Sequence, residues 1–187
     1  CLGVKDIFAT IDGPTTMGTD ARTWPGTRGS FDARVISKIR AAGATIVGKN
    51  KTSEFAVHEP TDTSNPRNHE LTPGTSSSGG AAAVAAGHVS ISISSQTAGS
   101  IARPASYCGV IGFKPTIGEL PRTGVLKTTE SFDSVGIIGN SVSNIASVYN
   151  VARINDMNHP IHLKRSSVDF KNVRALHAIG PTFDSAS

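Results

Sequence analysis

Apolar and polar positions follow two different periods along the chain, and together these periods predict an α/β protein. From Val89 to Ser94, apolar residues and serines alternate, which is typical of a strand with one polar face. Residues 32–42 and 141–152 place apolar side chains at helical spacing, so each segment is predicted to form an amphipathic helix. The predicted elements are a strand end at 1–8, helices at 32–42, 81–86, 101–107 and 141–152, and strands at 45–47, 89–94, 110–113 and 173–179.

Individual elements carry signals for their ends and for their burial. Ser30 is a candidate N-cap and Gly43 a candidate stop for the helix at 32–42. The strand at 45–47 is short and apolar, so we expect it to be buried. The face of the last helix that is predicted to point inward carries Val142, Ile145, Val148 and Val151.

Polar segments separate these elements. Residues 10–29 are rich in Gly, Pro and Thr and have no period, so they are predicted to form a loop. Residues 53–73 are predicted to form a second, long loop, and loops of this length in a compact domain are usually functional. The Gly- and Ser-rich segment 74–80 leads directly into an alanine-rich helix, which argues against a flexible linker. It lacks the lysine of a phosphate-binding loop.

Composition and charge exclude several classes of function. The chain has 187 residues, of which 37% are hydrophobic and 17% charged, as in a globular domain or a part of one. The net charge is +4 and the basic residues are scattered, so we expect neither a nucleic-acid groove nor a polybasic membrane anchor. No apolar run approaches the ~20 residues that a membrane span needs.

The cysteines give no sign of a disulfide framework or of a metal site. Cys1 and Cys108 stand alone, and Cys108 lies in an apolar stretch where it is predicted to be a small core residue. We therefore expect no metal, no cofactor and a reducing, cytoplasmic location. The chain begins with Cys1 instead of Met, so a preceding targeting segment remains open.

Ser100 closes a second turn of small residues, at 97–100, directly before a predicted helix. A serine in this place has an exposed hydroxyl with backbone N–H groups nearby, which are the parts of a nucleophile and an oxyanion hole. The histidines have no recognisable partner motif, so a Ser-His-Asp arrangement is not favoured, whereas a lysine with a lowered pKa can serve as the base. These histidines are His58, His69, His88, His159, His162 and His177.

Two segments around the serines resemble the amidase signature. They read GTSSSGGAAAVAAG at 74–87 and QTAGSIARPA at 96–105. Segments at 3–6, 48–55, 109–116 and 132–136 match further motifs of the same family, in the family's order. The resemblance runs from Gly3 to about Pro160, and on it the chain is identified as a member of the amidase signature family. It implies an α/β fold with a mixed β-sheet core flanked by helices.

The family's Ser–cis-Ser–Lys triad carries over residue by residue. The resemblance implies that Ser100 is the nucleophile, Ser76 the bridging serine and Lys5 the base, with a cis peptide bond before Ser76. Because the family motif assigns catalysis to Lys5, Lys49 is expected to be structural. Ser77 is expected to assist Ser76. The implied oxyanion hole comprises the backbone N–H groups of Thr97, Ala98, Gly99 and Ser100.

The sequence departs from the usual family pattern at several positions near the serines. Arg103 is expected to anchor the loop that follows it and to take no part in catalysis. The departures are Ser78 and Gly80 in place of Gly and Ser, Ser94 in place of Gly, Gln96 in place of Asp and, further along the chain, Asn144 in place of Asp. Ser78 and Ser94 bear on the geometry of the loops, whereas Gln96 is expected to be a variant of a subgroup.

The resemblance implies hydrolysis of a carbon–nitrogen amide bond in a small molecule, through an acyl-enzyme. Two alternatives stay open: a glutamine-hydrolysing amidotransferase subunit of a transamidosome, and a catalytically inactive fragment that acts as an interaction module. Family members are much longer, so residues 1–187 are expected to be an incomplete amidase core without the N-terminal helices and the C-terminal half of the domain. A homodimer, or association with the missing part, is the expected assembly.

Overall fold

The computed structural model describes residues 1–20 and 22–154, so the strand predicted at 173–179 lies outside the described residues. The strands are β1 (Leu2–Lys5), β2 (Pro14–Thr15), β3 (Thr27–Arg28), β4 (Ile46–Asn50), β5 (Ile91–Gln96), β6 (Ile111–Phe113) and β7 (Ser134–Gly139). The helices are α1 (Arg34–Ala41), α2 (Ser78–Ala85), α3 (Ala102–Cys108) and α4 (Val142–Ala152), with a 3₁₀ turn at Glu54–Ala56.

In the described part of the chain, five strands form one mixed sheet in the order β4-β1-β5-β7-β6. Strand β1 runs parallel to both β4 and β5, whereas β7 runs antiparallel to β5 and β6. Helices cover both faces: Ile137 packs with side chains of α1 and α4, and the next residue, Ile138, packs with side chains of α2 and α3. Successive side chains of a strand point to opposite faces, so this alternation assigns one helix pair to each face.

The polar face of β5 is buried beneath α2. Ser92 and Ser94 are fully buried, and their hydroxyls lie 3.2 Å apart in a hydrogen bond. A Cβ atom on Gly80 of α2 would collide with the Ser92 hydroxyl, so a glycine at this position lets the helix lie close to the serines. Gly80 and Ser94, both departures from the usual family pattern, therefore meet in one helix–strand contact.

The start of α1 differs from the prediction, and its end confirms it. Ser30 is not the cap, because the N-cap is Ala33 and no side chain caps the helix. A neighbouring loop takes that role: the Arg34 N–H donates to the Thr123 carbonyl at 2.9 Å. Gly43 follows the helix with a φ of +87°, the left-handed conformation that commonly ends helices.

Strand β4 is not the buried strand that its apolar residues predict. It lies at the edge of the described sheet with β1 as its neighbour, and Val47 is 55% exposed. Apolar sequence alone does not distinguish an edge strand from a central one, because burial depends on which strands and helices cover it.

The buried face of α4 is offset from the predicted one. Ile145, Tyr149 and Ala152 are buried and Val148 packs beside them, but Val142 is 54% exposed. Val142 is the first residue of the helix, where the Ser141 hydroxyl accepts a hydrogen bond from the Asn144 N–H at 3.1 Å. The row of buried side chains on α4 begins one turn later, at Ile145.

Two features of the fold have no counterpart among the predicted elements. Strand β7 is buried along its whole length and lies between β5 and β6, so its apolar residues do not alternate with polar ones. The predicted loop at 10–29 contains β2 and β3, which pair as a small antiparallel ribbon. Among residues 1–20 and 22–154, no helix is both long and apolar enough to cross a bilayer.

Candidate active site

The candidate residues converge at one edge of the sheet. Lys5 is the last residue of β1, and Ser95 lies near the end of β5. Because these two strands are parallel, their carboxyl ends meet at the same edge. Ser76 lies just before α2 and Ser100 just before α3, so both helices begin beside the two strand ends.

Lys5 is fully buried, and its ammonium group has two hydroxyl partners. Its Nζ atom donates to Ser76 Oγ at 2.6 Å and to Ser95 Oγ at 3.1 Å. Burial lowers the pKa of Lys5 from its ordinary 10.5 to about 7, and the negative charge of Asp133 opposes part of that shift. A large share of the Lys5 side chains is therefore neutral near pH 7.

Ser76 is held in a constrained turn that leads into α2. The Thr75–Ser76 peptide bond is cis, as the resemblance implies. Gly74 has a φ of +81°, and a Cβ atom on it would come within 2.8 Å of Pro104 Cα, so this turn passes directly against α3. Only glycine combines that backbone conformation with so close an approach.

Ser100 shares a cavity with Ser76. The lining of this cavity includes Ser76, Ser95, Thr97 and Ser100. Within the described part of the chain, no hydrogen bond joins Ser76 to Ser100. The geometry thus brings Lys5 and Ser76 into direct contact and places Ser100 on the same cavity wall.

Gln96 fixes the backbone on the far side of Ser100. Its side-chain oxygen accepts hydrogen bonds from the N–H groups of Ile101 and Ala102, at 2.8 and 2.9 Å. It therefore engages the N–H groups that follow Ser100 and not those of residues 97–100. At this position glutamine supplies the side-chain acceptor that a helix N-terminus needs.

Asp133 lines the cavity and was not predicted as a site residue. It accepts hydrogen bonds from the hydroxyl of Thr97 at 2.6 Å, and from the hydroxyls and N–H groups of Thr128 and Thr129. Burial raises the pKa of Asp133, but these hydrogen bonds outweigh burial and lower it to about 2. A buried ionised carboxylate thus ties the 97–100 turn to the loop at 128–129.

The sequence does contain weak signals for Asp133 and Ser95. Asp133 lies in the matched segment 132–136, four positions after the second of two threonines that can donate to it. Ser95 occupies the face of β5 that carries Ile91 and Ile93, so it breaks the alternation of the strand. A polar residue on an apolar face calls for a partner, which here is Lys5.

Residues predicted to support the site have contacts of their own. Lys49 forms an ion pair with Asp6 at 2.8 Å and donates to the Phe8 carbonyl at 2.9 Å, as expected of a structural lysine. The Ser77 hydroxyl donates to the Ser95 carbonyl at 3.3 Å and not to Ser76.

Arg103 and His58 take no part in the Lys5–Ser76 contact. The Arg103 guanidinium lies 3.4 Å from His58 Nδ1, and His58 belongs to the surface beside the 97–100 turn. His159, His162 and His177 fall outside the described residues. In the described ranges, no three His, Cys, Asp or Glu side chains are grouped to hold a metal ion.

Comparison with known protein families leads to the same assignment as the fold and the site. A family model described as Amidase matches residues 1–178. The chain belongs to the amidase family.

Curated relatives include components of an amidotransferase. The chain is 44% identical over 153 residues to a glutamyl-tRNA(Gln) amidotransferase subunit from Anaeromyxobacter sp. (strain K), a match that covers 79% of this chain and 31% of the relative. It is 39% identical over 161 residues to the corresponding chloroplastic/mitochondrial subunit from Zea mays, covering 83% of this chain and 29% of that one. The chain therefore spans about a third of the length of these relatives.

Solved structures of similar proteins confirm the predicted fold class. A glutamyl-tRNA(Gln) amidotransferase subunit from Thermotoga maritima superposes with a TM-score of 0.77 at 37% identity, over 83% of this chain and 35% of that one. The native peptide amidase of Stenotrophomonas maltophilia gives a TM-score of 0.73 at 34% identity, over 83% and 34%. The mixed sheet flanked by helices is thus the amidase fold.

Proposed function

We propose that the protein in which this chain occurs hydrolyses carbon–nitrogen amide bonds of a small-molecule substrate. The observation that carries this proposal is the buried contact of 2.6 Å between Lys5 and Ser76, at a cavity that Ser100 also lines, in a chain of the amidase family. A lysine buried in this way is neutral often enough near pH 7 to act as a base.

In the proposed reaction, Ser100 is the nucleophile and Ser76 relays protons. The Ser100 oxygen attacks the amide carbonyl carbon, its proton passes to Ser76, and the Ser76 proton passes to neutral Lys5. The carbon–nitrogen bond then breaks as Ser76 returns a proton to the leaving amine, with Lys5 resupplying Ser76. Water attacks the resulting ester by the reverse relay and releases the acid. Ser76 and Ser100 must come within hydrogen-bond distance of each other before the Ser100 proton can pass to Ser76. Bound substrate can bring the two hydroxyls together.

The negative charge that develops on the carbonyl oxygen needs donors, and the 97–100 turn supplies them in this proposal. Each well-placed donor contributes roughly 3–4 kcal/mol to stabilising the transition state. Asp133 supports this turn, because it holds the Thr97 side chain at 2.6 Å. Ser77 supports the site through the Ser95 carbonyl. The proposed donors are the backbone N–H groups of Thr97, Ala98, Gly99 and Ser100.

A second candidate is glutamine hydrolysis as one component of an amidotransferase. The observation that favours it is the 44% identity to the glutamyl-tRNA(Gln) amidotransferase subunit from Anaeromyxobacter sp. (strain K). Ammonia released from glutamine only when a partner protein is added would favour this candidate. Hydrolysis of simple amides without a partner would favour the first.

The test uses the complete protein in which this sequence occurs. A fluorophosphonate probe that labels activated serines should label the wild type and Ser106→Ala, but not Ser100→Ala. Ser106 is the matched control because it is an exposed serine on the neighbouring helix α3. Equal labelling of all three proteins, or no labelling at all, would contradict the nucleophile assignment, and the latter result would favour the inactive interaction module.

A further inference from the structure

Ser95 is the second group that binds the Lys5 amine, and no role is assigned to it by the triad. Its hydroxyl lies 3.1 Å from Lys5 Nζ, and the residue lines the same cavity as Ser76 and Ser100. The neighbouring serine of the strand, Ser94, has its side chain on the other face, where it bonds to Ser92.

The chemistry of a neutral amine explains why a second acceptor matters. A neutral lysine has two N–H groups and one lone pair, and all three directions rotate together about the bond between Cε and Nζ. To take a proton from Ser76, Lys5 must point its lone pair along the 2.6 Å contact. An acceptor at a second fixed position holds one N–H group, which disfavours the rotation that turns the lone pair towards Ser95 and so favours rotations in which the lone pair can face Ser76.

We propose that Ser95 is a positioning residue, whose hydroxyl accepts a hydrogen bond from Lys5 and thereby aims the Lys5 lone pair at Ser76. This inference rests on the proposed function, because aiming the lone pair matters only if Lys5 acts as the base. Ser95 also stabilises the ammonium ion that forms when the proton arrives, since a charge-assisted hydrogen bond is stronger than a neutral one.

The charged groups around Lys5 set the background for this effect. Asp133 is the carboxylate that acts on Lys5 through its charge. Arg122 and Lys127 line the same cavity, and both pair with Glu130, at 2.9 and 3.1 Å. A substitution at Ser95 leaves Asp133, Arg122, Lys127 and Glu130 unchanged. An effect of that substitution on the protonation of Lys5 can therefore be attributed to the loss of the Ser95 hydroxyl.

The deciding variant is Ser95→Ala in the complete protein, with Ser94→Ala as the matched control. Losing the acceptor disfavours the ammonium form, so the acidic limb of the pH–kcat profile should move to lower pH by about half to one unit. We expect kcat on the plateau to fall about tenfold with little change in KM, since the base is no longer aimed. Ser95→Thr keeps a hydroxyl and should restore the wild-type limb. An unmoved limb in Ser95→Ala, or an equal shift in Ser94→Ala, would overturn the inference.

A second measurement separates failure of this inference from failure of the proposed function. The pH dependence of the unfolding free energy reports Lys5 protonation without any turnover. If the protein hydrolyses no amide but Ser95→Ala still shifts that pH dependence, the Lys5–Ser95 contact stands and the proposed function falls. If turnover is present and neither the pH–kcat profile nor the stability curve moves, the positioning role is wrong.

Discussion

Replacing Lys5 by methionine should change how the stability of the protein depends on pH. In the folded chain the pKa of Lys5 is lowered by burial to about 7, whereas in the unfolded chain it returns to 10.5. Between these two values the unfolded chain binds more protons, so the free energy of unfolding of the wild type rises with pH across that window. Below pH 7 both states carry the proton and the cost of burying it is constant.

The size of the effect follows from the two pKa values. Raising the pH from 6 to 9 should stabilise the wild type by about 3 kcal/mol relative to Lys5→Met, which has no group that titrates there. Methionine has a similar length and no charge, so it fills the buried site without the cost of desolvating an ammonium ion. At pH 6 we therefore expect Lys5→Met to be more stable than the wild type, and the gap to narrow with rising pH.

Urea unfolding at pH 6, 7, 8 and 9 measures this difference, and comparing the two proteins cancels every other titrating group. The control is Ile93→Val, a buried change on the adjacent strand β5 that removes no titratable group. Its difference from the wild type should stay constant with pH. A Lys5→Met difference that is flat to within about 0.5 kcal/mol from pH 6 to 9 would show that Lys5 does not titrate near 7.

Three further predictions concern activity and local packing. The rate of amide hydrolysis should rise with pH through about 7 and stay high into the alkaline range. In the same assay, Lys5→Ala should abolish hydrolysis, whereas Lys49→Ala should retain substantial activity. A pH–rate profile that rises near 6.5, and whose rise is removed by a histidine substitution, would contradict this. Gln96→Met should lower the free energy of unfolding by about 1–3 kcal/mol, since two N–H groups at the start of α3 lose their acceptor. Urea unfolding measures this change, and a free energy of unfolding equal to that of the wild type would contradict the prediction. Gly80→Ala should destabilise the chain by about 1–3 kcal/mol, because the added methyl group collides with the Ser92 hydroxyl. A melting temperature equal to that of the wild type would contradict the close contact between Gly80 and Ser92.

Local patterns in the sequence predicted most of the elements, because helix periodicity and strand alternation are set by residues close in sequence. They failed where burial depends on distant neighbours. Strand β7 has no alternation because both its faces are covered, and β4 is exposed at an edge of the sheet that the described residues form. Likewise, Val142 shares the period of the buried α4 residues but is exposed at the first position of the helix.

The candidate site, too, depends on contacts between residues that are distant in sequence. Lys5 and Ser76 are 71 positions apart, and only the resemblance to a family predicted that they act together. Their contact in the structure agrees with that prediction, while the roles themselves stay proposals. Asp133 and Ser95 were missed because their partners, Thr97 and Lys5, reach them only through the pairing of β1, β5 and β7.

Within residues 1–20 and 22–154, strand β4 has a neighbour on one side only, and this open edge bears on how this chain behaves in concentrated solution. A strand of this kind presents a row of unpaired backbone groups, and such a row can template the addition of strands from other molecules. Lys49, the charged residue of this strand, is turned inward by its ion pair with Asp6, so its charge does not protect the edge. Val47→Lys would place a charge where an apolar side chain is now 55% exposed, and would delay aggregation as the concentration rises.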